Sequence, residues 1–111
     1  MPQFPITFNG STYSGGITRT PAETGAHLSA LFAGKAQRIA DTPEHTSTRD
    51  AHLTAAEHFR TAAAVLRKDP AATRLPSAAL DALRDAVAAL GPTPSPYFAA
   101  SCRRVTDIFT S

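Results

Sequence analysis

The sequence predicts a mainly α-helical single domain over residues 1–111, with an N-terminal β-hairpin at 1–16 followed by a four-helix bundle-like region at 17–111. Apolar side chains recur at helical spacing in four stretches, and 22 of the 111 residues are alanine, the best helix former. Ser or Thr followed by Pro, a helix-start signal, precedes three apolar-periodic stretches: Thr20-Pro21, Thr42-Pro43 and Ser95-Pro96. A hydroxyl at the N-cap accepts a bond from an unpaired amide, and proline at the first helical position removes no needed donor.

The hairpin is predicted from an alternating apolar run around Asn9-Gly10. That dipeptide favours a two-residue type I′ turn between strands at 4–8 and 11–13. Strand alternation places four large apolar side chains on one face: Phe4, Ile6, Phe8 and Tyr13. Because a lone hairpin is marginal in water, we expect this face to cover the helices, and binding of a partner strand is the alternative.

Helix one is predicted over Pro21–Ala40, and Thr20 with Glu23 has the spacing of a capping box. Its apolar stripe is predicted to consist of Leu28, Leu31, Phe32 and Ile39. Gly25 and Gly34 each weaken a helix by about 1 kcal/mol relative to alanine.

Helix two is predicted to begin near Ser47 or Thr48, where Ser47 and Asp50 again have capping-box spacing, and to end at Lys68. Its small side chains predict a central, tightly packed position. The predicted inner stripe is His52, Ala55, Ala56, Phe59, Ala62, Ala63 and Leu66.

Helix three is predicted over Ser77–Leu90, with Gly91 as the residue that ends it. Helix four is predicted to begin at Ser95-Pro96. Its inner stripe is Phe98, Cys102, Val105 and Phe109.

The sequence carries no pattern typical of a catalytic, metal or cofactor site, so we expect no enzyme and no cofactor. His45, His52 and His58 are spaced by seven and six residues, whereas two zinc ligands on a helix are typically three or four apart. His52 is predicted to be a hydrogen-bonded core histidine or one near the start of its helix. Cys102 lies on a predicted inner face, where thiols are usually inert. An enzyme would need a pocket of convergent polar groups, for which His52 and Lys35 are the candidates.

A single cysteine favours a reducing compartment, and the N-terminal residues lack the regions of a signal peptide. No apolar run approaches the ~18 residues of a membrane span. The sequence therefore predicts a soluble cytoplasmic protein. The net charge of +2 is small, and the basic residues are not densely clustered.

The leading prediction for function is a non-enzymatic protein–protein interaction module that acts on, or assembles with, a larger protein complex. Small viral, adaptor and mobile-element proteins have this size and architecture. The alternative is a small DNA- or RNA-binding regulator that uses a basic surface on helices two and four, and a homodimer also remains open. Lys35 is notable because its charge falls within the apolar stripe of helix one. The candidate partner-binding residues are Lys35, Arg60, Arg67, Tyr97, Arg103 and Arg104.

Overall fold

A computed structural model describes residues 19–110, of which 79% are helical. The elements are α1 (Pro21–Ala40), a 3₁₀ helix (Pro43–Thr48), α2 (Arg49–Lys68), α3 (Ser77–Ala89), α4 (Pro96–Ala99) and α5 (Ser101–Thr110). The mainly helical class and the four predicted helices are confirmed in this part of the chain, with the fourth divided into α4 and α5.

The predicted fold class was wrong in its β component. No strand occurs between residues 19 and 110, and nothing supports a β-hairpin ahead of the helices. The segment assigned to the hairpin, residues 1–16, lies outside the described residues. The prediction depended on a local turn signal and on an apolar helical surface that the hairpin would cover. The buried rings of the helices instead pack on one another, as Phe59 does on Phe32 and Phe98.

The ends of α1 agree with the prediction. The amide of Glu23 donates to Thr20 Oγ1 at 3.2 Å, and the amide of Thr20 donates to Glu23 Oε1 at 2.9 Å. This reciprocal capping box satisfies two donors that the first helical turn leaves unpaired. At the other end the amide of Asp41 donates to Gln37 O at 3.0 Å.

The start of α2 and the end of α3 are determined by different local structures. α2 follows the 3₁₀ helix directly, and its N-cap is Thr48 rather than Ser47. The Thr42-Pro43 signal therefore begins the 3₁₀ helix, a detail that the capping pattern alone does not predict. α3 ends at Ala89 with Leu90 as its C-cap, and Gly91 follows with φ of +92°, a conformation that glycine adopts without steric cost.

The helices form a four-membered bundle in which α2 packs against α1 and α3, and α5 packs against the same two helices. This arrangement places α2 and α5 diagonally across the bundle. Gly25 on α1 lies near Val105 and Phe109, whereas Phe32 lies near Arg104. A later residue of α1 therefore lies beside an earlier residue of α5, so these two helices are antiparallel.

The buried face of α1 consists mainly of small side chains. These residues are Ala22, Gly25, Ala26, Ser29, Phe32, Ala33, Ala36 and Ala40. The predicted stripe was therefore displaced around the helix: Phe32 is fully buried, but Leu28 and Ile39 are only half-buried, and Leu31 is 49% exposed. Small side chains take the inner positions because they let neighbouring helices approach closely and still fill the space between them.

Gly25 and Gly34 occupy different environments on the same helix. A Cβ atom at Gly25 would lie 3.2 Å from Leu66 Cδ1, 3.4 Å from Phe109 Cε1 and 3.5 Å from Val105 Cγ1. At Gly34 the nearest such atom is Arg38 Nη1 at 3.6 Å, an ordinary contact. The sequence alone assigns the same helix penalty to both glycines, but close packing requires a glycine only at position 25.

We expect Gly34→Ala to raise the free energy of unfolding by about 0.5–1 kcal/mol, the difference in helix propensity. Gly25→Ala should show no such gain, because its methyl group presses on the buried Leu66 side chain. Urea unfolding followed by circular dichroism measures both values. Equal stabilisation by the two substitutions would contradict the close packing at Gly25.

Ser29 is fully buried, and within residues 19–110 its Oγ atom has no hydrogen-bond partner. A buried hydroxyl without a partner carries a desolvation cost, and serine is a poorer helix former than alanine. We expect Ser29→Ala to raise the free energy of unfolding by about 1 kcal/mol. The measurement is again urea unfolding, with the exposed Thr54→Ala in α2 as the propensity control. A loss of stability on Ser29→Ala would show that the hydroxyl is satisfied.

Candidate functional site

An aromatic cluster connects the core to one surface of the bundle. The Phe32 ring lies 5.4 Å from the Phe59 ring and 5.1 Å from the Tyr97 ring, in tilted and edge geometries. Phe98 stacks on Phe59 at 5.9 Å and contacts Tyr97 at 5.2 Å. Such spacings are favourable for aromatic pairs. Phe32, Phe59 and Phe98 are buried, whereas Tyr97 is 39% exposed, so the cluster ends at the surface on Tyr97.

Arg104 lies over the exposed end of this cluster. Its guanidinium carbon is 5.4 Å from the centre of the Phe32 ring and 6.0 Å from the centre of the Tyr97 ring. A guanidinium over aromatic rings gains about 0.5–1 kcal/mol at an exposed site. These contacts restrain an otherwise flexible side chain, so Arg104 presents its charge from a defined position.

Leu31 and Lys35 flank Phe32 on α1. Leu31 directly precedes it, and Lys35 follows it by one helical turn. Both side chains are exposed. We refer to Leu31, Lys35, Tyr97 and Arg104 together as the Tyr97–Arg104 surface.

Within the described part of the chain, the cations of this surface have no carboxylate partner. Among residues 19–110, no ion pair within 4 Å involves Lys35, Arg103 or Arg104. Lys35 was predicted to lie within the apolar stripe, and that placement was wrong because the buried face of α1 is the small-residue face. Arg103 lies further around α5, where it lines a shallow cavity with Pro96, Ala99 and Ala100. The surface is therefore apolar at Leu31 and Tyr97 and positively charged around them.

The structure does not bring all six predicted partner-binding residues together. Arg60 and Arg67 are exposed on α2, which lies diagonally opposite α5. Arg67 lines a separate cavity of about 370 Å³ with Arg19, Glu23 and His27. The basic groups of α2 and α5 therefore do not form the single surface that the nucleic-acid hypothesis used.

A second, more enclosed cavity lies at the bundle end where α1 and α3 end and α2 and α4 begin. It measures about 390 Å³ and is lined by Ile39, Thr48, Ala51, His52, Leu90, Thr93, Pro94, Ser95 and Phe98. His52 is half-buried, and its Nδ1 lies 2.8 Å from Thr48 O. Its ring also contacts Phe98 at 6.0 Å in edge geometry. Of the two alternatives predicted for His52, the position near the helix start is the one found, and the ring is half-buried rather than part of the core.

Cys102 is half-buried on α5. Burial raises the pKa of its thiol, and the positive charge of Arg84 offsets this only in part. Because the thiolate is the nucleophile, this environment lowers the reactivity of Cys102 at neutral pH.

Within residues 19–110, no group of three or more His, Cys, Asp or Glu side chains is placed to share a metal ion. None of the helices in this range combines the length and the apolarity needed to cross a bilayer. No family model, no curated protein and no solved structure matches the chain.

We expect Cys102 to react with iodoacetamide more slowly in the folded protein than in urea at pH 8, because its raised pKa keeps it protonated. The unfolded state releases this proton at lower pH than the folded state does. This thiol therefore has no effect on stability below its ordinary pKa and lowers stability as the pH rises above it. Mass spectrometry measures the alkylation, and Cys102→Ala should remove that part of the alkaline decline. Faster alkylation in the folded state would contradict the assignment.

Proposed function

We propose that this protein is a non-enzymatic protein–protein interaction domain that binds its partner through the Tyr97–Arg104 surface. The observation that carries the proposal is the position of Arg104 over the rings of Phe32 and Tyr97. Tyrosine and arginine are enriched among the residues that dominate binding energy, particularly where they are held in place before binding. Here both are partly exposed, and both rest on a fully buried ring.

The chemistry of the surface suggests the partner. Leu31 is 49% exposed and Tyr97 is 39% exposed, so a partner would cover apolar area at both positions. Lys35 and Arg104 have no carboxylate partner within residues 19–110, so a partner's carboxylates could pair with them. We therefore propose an acidic amphipathic segment of another protein as the occupant. An isologous homodimer is disfavoured because it would bring Lys35 and Arg104 of two copies together.

The proposal places the protein inside the cell as part of a larger assembly. A lone half-buried cysteine is compatible with a reducing compartment. Binding would require neither a metal nor a cofactor, since the surface offers only apolar area and fixed positive charge.

The test uses Arg104→Gln and Arg60→Gln, two substitutions that each remove one exposed guanidinium and lie on opposite sides of the bundle. The tagged protein and both variants are used to capture partners from lysate of the source cells, with and without nuclease. We expect a nuclease-resistant partner that Arg60→Gln retains and Arg104→Gln loses. With the purified partner, Arg104→Gln should weaken binding by about 2 kcal/mol, roughly 30-fold.

A second variant tests the apolar part of the surface. Leu31→Ser should weaken binding of the same partner. It should leave the free energy of unfolding nearly unchanged, because Leu31 is half exposed. Capture that disappears with nuclease and with Arg60→Gln would instead support nucleic-acid binding through α2. If Leu31→Ser and Arg104→Gln both retain the partner, the Tyr97–Arg104 surface is not the binding site. Light scattering would detect a homodimer.

A further inference from the structure

We propose that the cavity at the end of the bundle binds a small aromatic molecule that carries one hydrogen-bond donor, such as a phenol. The cavity of about 390 Å³ lies within the range of roughly 300–1,000 Å³ typical of ligand pockets. This site is separate from the Tyr97–Arg104 surface, and the inference does not depend on the proposed function.

The walls of the cavity favour an apolar occupant. Five of the lining residues are apolar and come from four segments of the chain: Ile39, Ala51, Leu90, Pro94 and Phe98. The rings of His52 and Phe98 already meet in edge geometry at 6.0 Å. An aromatic ligand placed against them would extend the cluster in the geometry that aromatic pairs prefer.

Four of the lining residues are polar: Thr48, His52, Thr93 and Ser95. Of these, His52 is the one whose hydrogen-bonding roles follow from a contact in the structure. Thr48 O can only accept a hydrogen bond, so Nδ1 of His52 is the donor in their 2.8 Å contact. In the neutral ring, Nε2 then carries a lone pair and is an acceptor. A hydroxyl or N–H group on the ligand would satisfy that acceptor, whereas a purely apolar ligand would leave it unpaired in a half-buried site.

The position of the cavity favours a free small molecule over a partner's side chain. Its walls come from the end of α1, the start of α2, the α3–α4 connection and α4, so several elements surround it. A small molecule can contact all of these walls at once, whereas a partner's side chain must bring its own backbone to the opening.

The experiment compares 2-naphthol with 2-methylnaphthalene, in which a methyl group replaces the hydroxyl at nearly constant shape. Each compound is titrated into the full-length protein, and amide and methyl resonances are followed by NMR. We expect 2-naphthol to shift resonances of Ala51, His52 and Leu90, and 2-methylnaphthalene to bind about fivefold more weakly, the loss expected for one hydrogen bond. No shift at these residues up to the solubility limit of 2-naphthol would overturn the proposal.

Two variants distinguish the contribution of the cavity walls to binding from that of the hydrogen-bond acceptor on His52. Ala51→Leu fills the cavity and should abolish binding of both compounds, whereas Ala64→Leu, on the exposed face of the same helix, should leave binding unchanged. His52→Phe keeps a ring against Phe98 and removes the acceptor, so the two compounds should then bind equally. Should His52→Phe not fold, the Ala51→Leu and Ala64→Leu pair still decides the site. Unchanged naphthol binding in Ala51→Leu, or tighter binding of N-acetyltyrosinamide than of 2-naphthol, would reject a small-molecule pocket.

Discussion

The buried ring of Phe32 is the contact on which the rest of the structure depends. It packs against Phe59 on α2, and it supports Tyr97 and Arg104 at the surface. The same residue therefore connects α1 to α2, α4 and α5, and it also fixes the geometry of the candidate partner-binding surface. It can do so because its neighbours on α1 are small, so that α2 and α5 approach closely on either side of it.

The helix boundaries were largely predictable because local chemistry sets them. The Thr20–Glu23 capping box and the positive φ of Gly91 are properties of short segments, and both appear where the sequence predicts them. The buried face of α1 was not predictable in this way. Hydrophobic periodicity predicts that Leu28 and Leu31 face the core. In the structure the face of Ala26, Ser29 and Ala33 is buried instead, because close approach of the helices requires small side chains.

Residue choice at the candidate site was only partly predictable for the same reason. Tyr97 and Arg104 were identified as exposed candidates, but their common support on Phe32 involves α1 and α4–α5, which lie far apart in the sequence. Arg60 and Arg67 were grouped with Arg103 and Arg104 by charge alone. Only the diagonal arrangement of α2 and α5 separates these pairs. The cavity beside His52 likewise depends on four segments whose ends meet only in the folded chain.

The one-turn helix α4 belongs to both candidate sites. Its neighbouring residues Tyr97 and Phe98 are in contact at 5.2 Å, yet one reaches the surface and the other lines the cavity, because successive positions on a helix differ by about 100°. A substitution at either ring would therefore disturb both sites and could not tell them apart. Arg104 does not line the cavity, and Ala51 does not belong to the surface. Changes at these two positions can therefore attribute a lost function to one site, although the Tyr97–Phe98 contact and the Phe32–Phe59–Phe98 contacts both link the two sites.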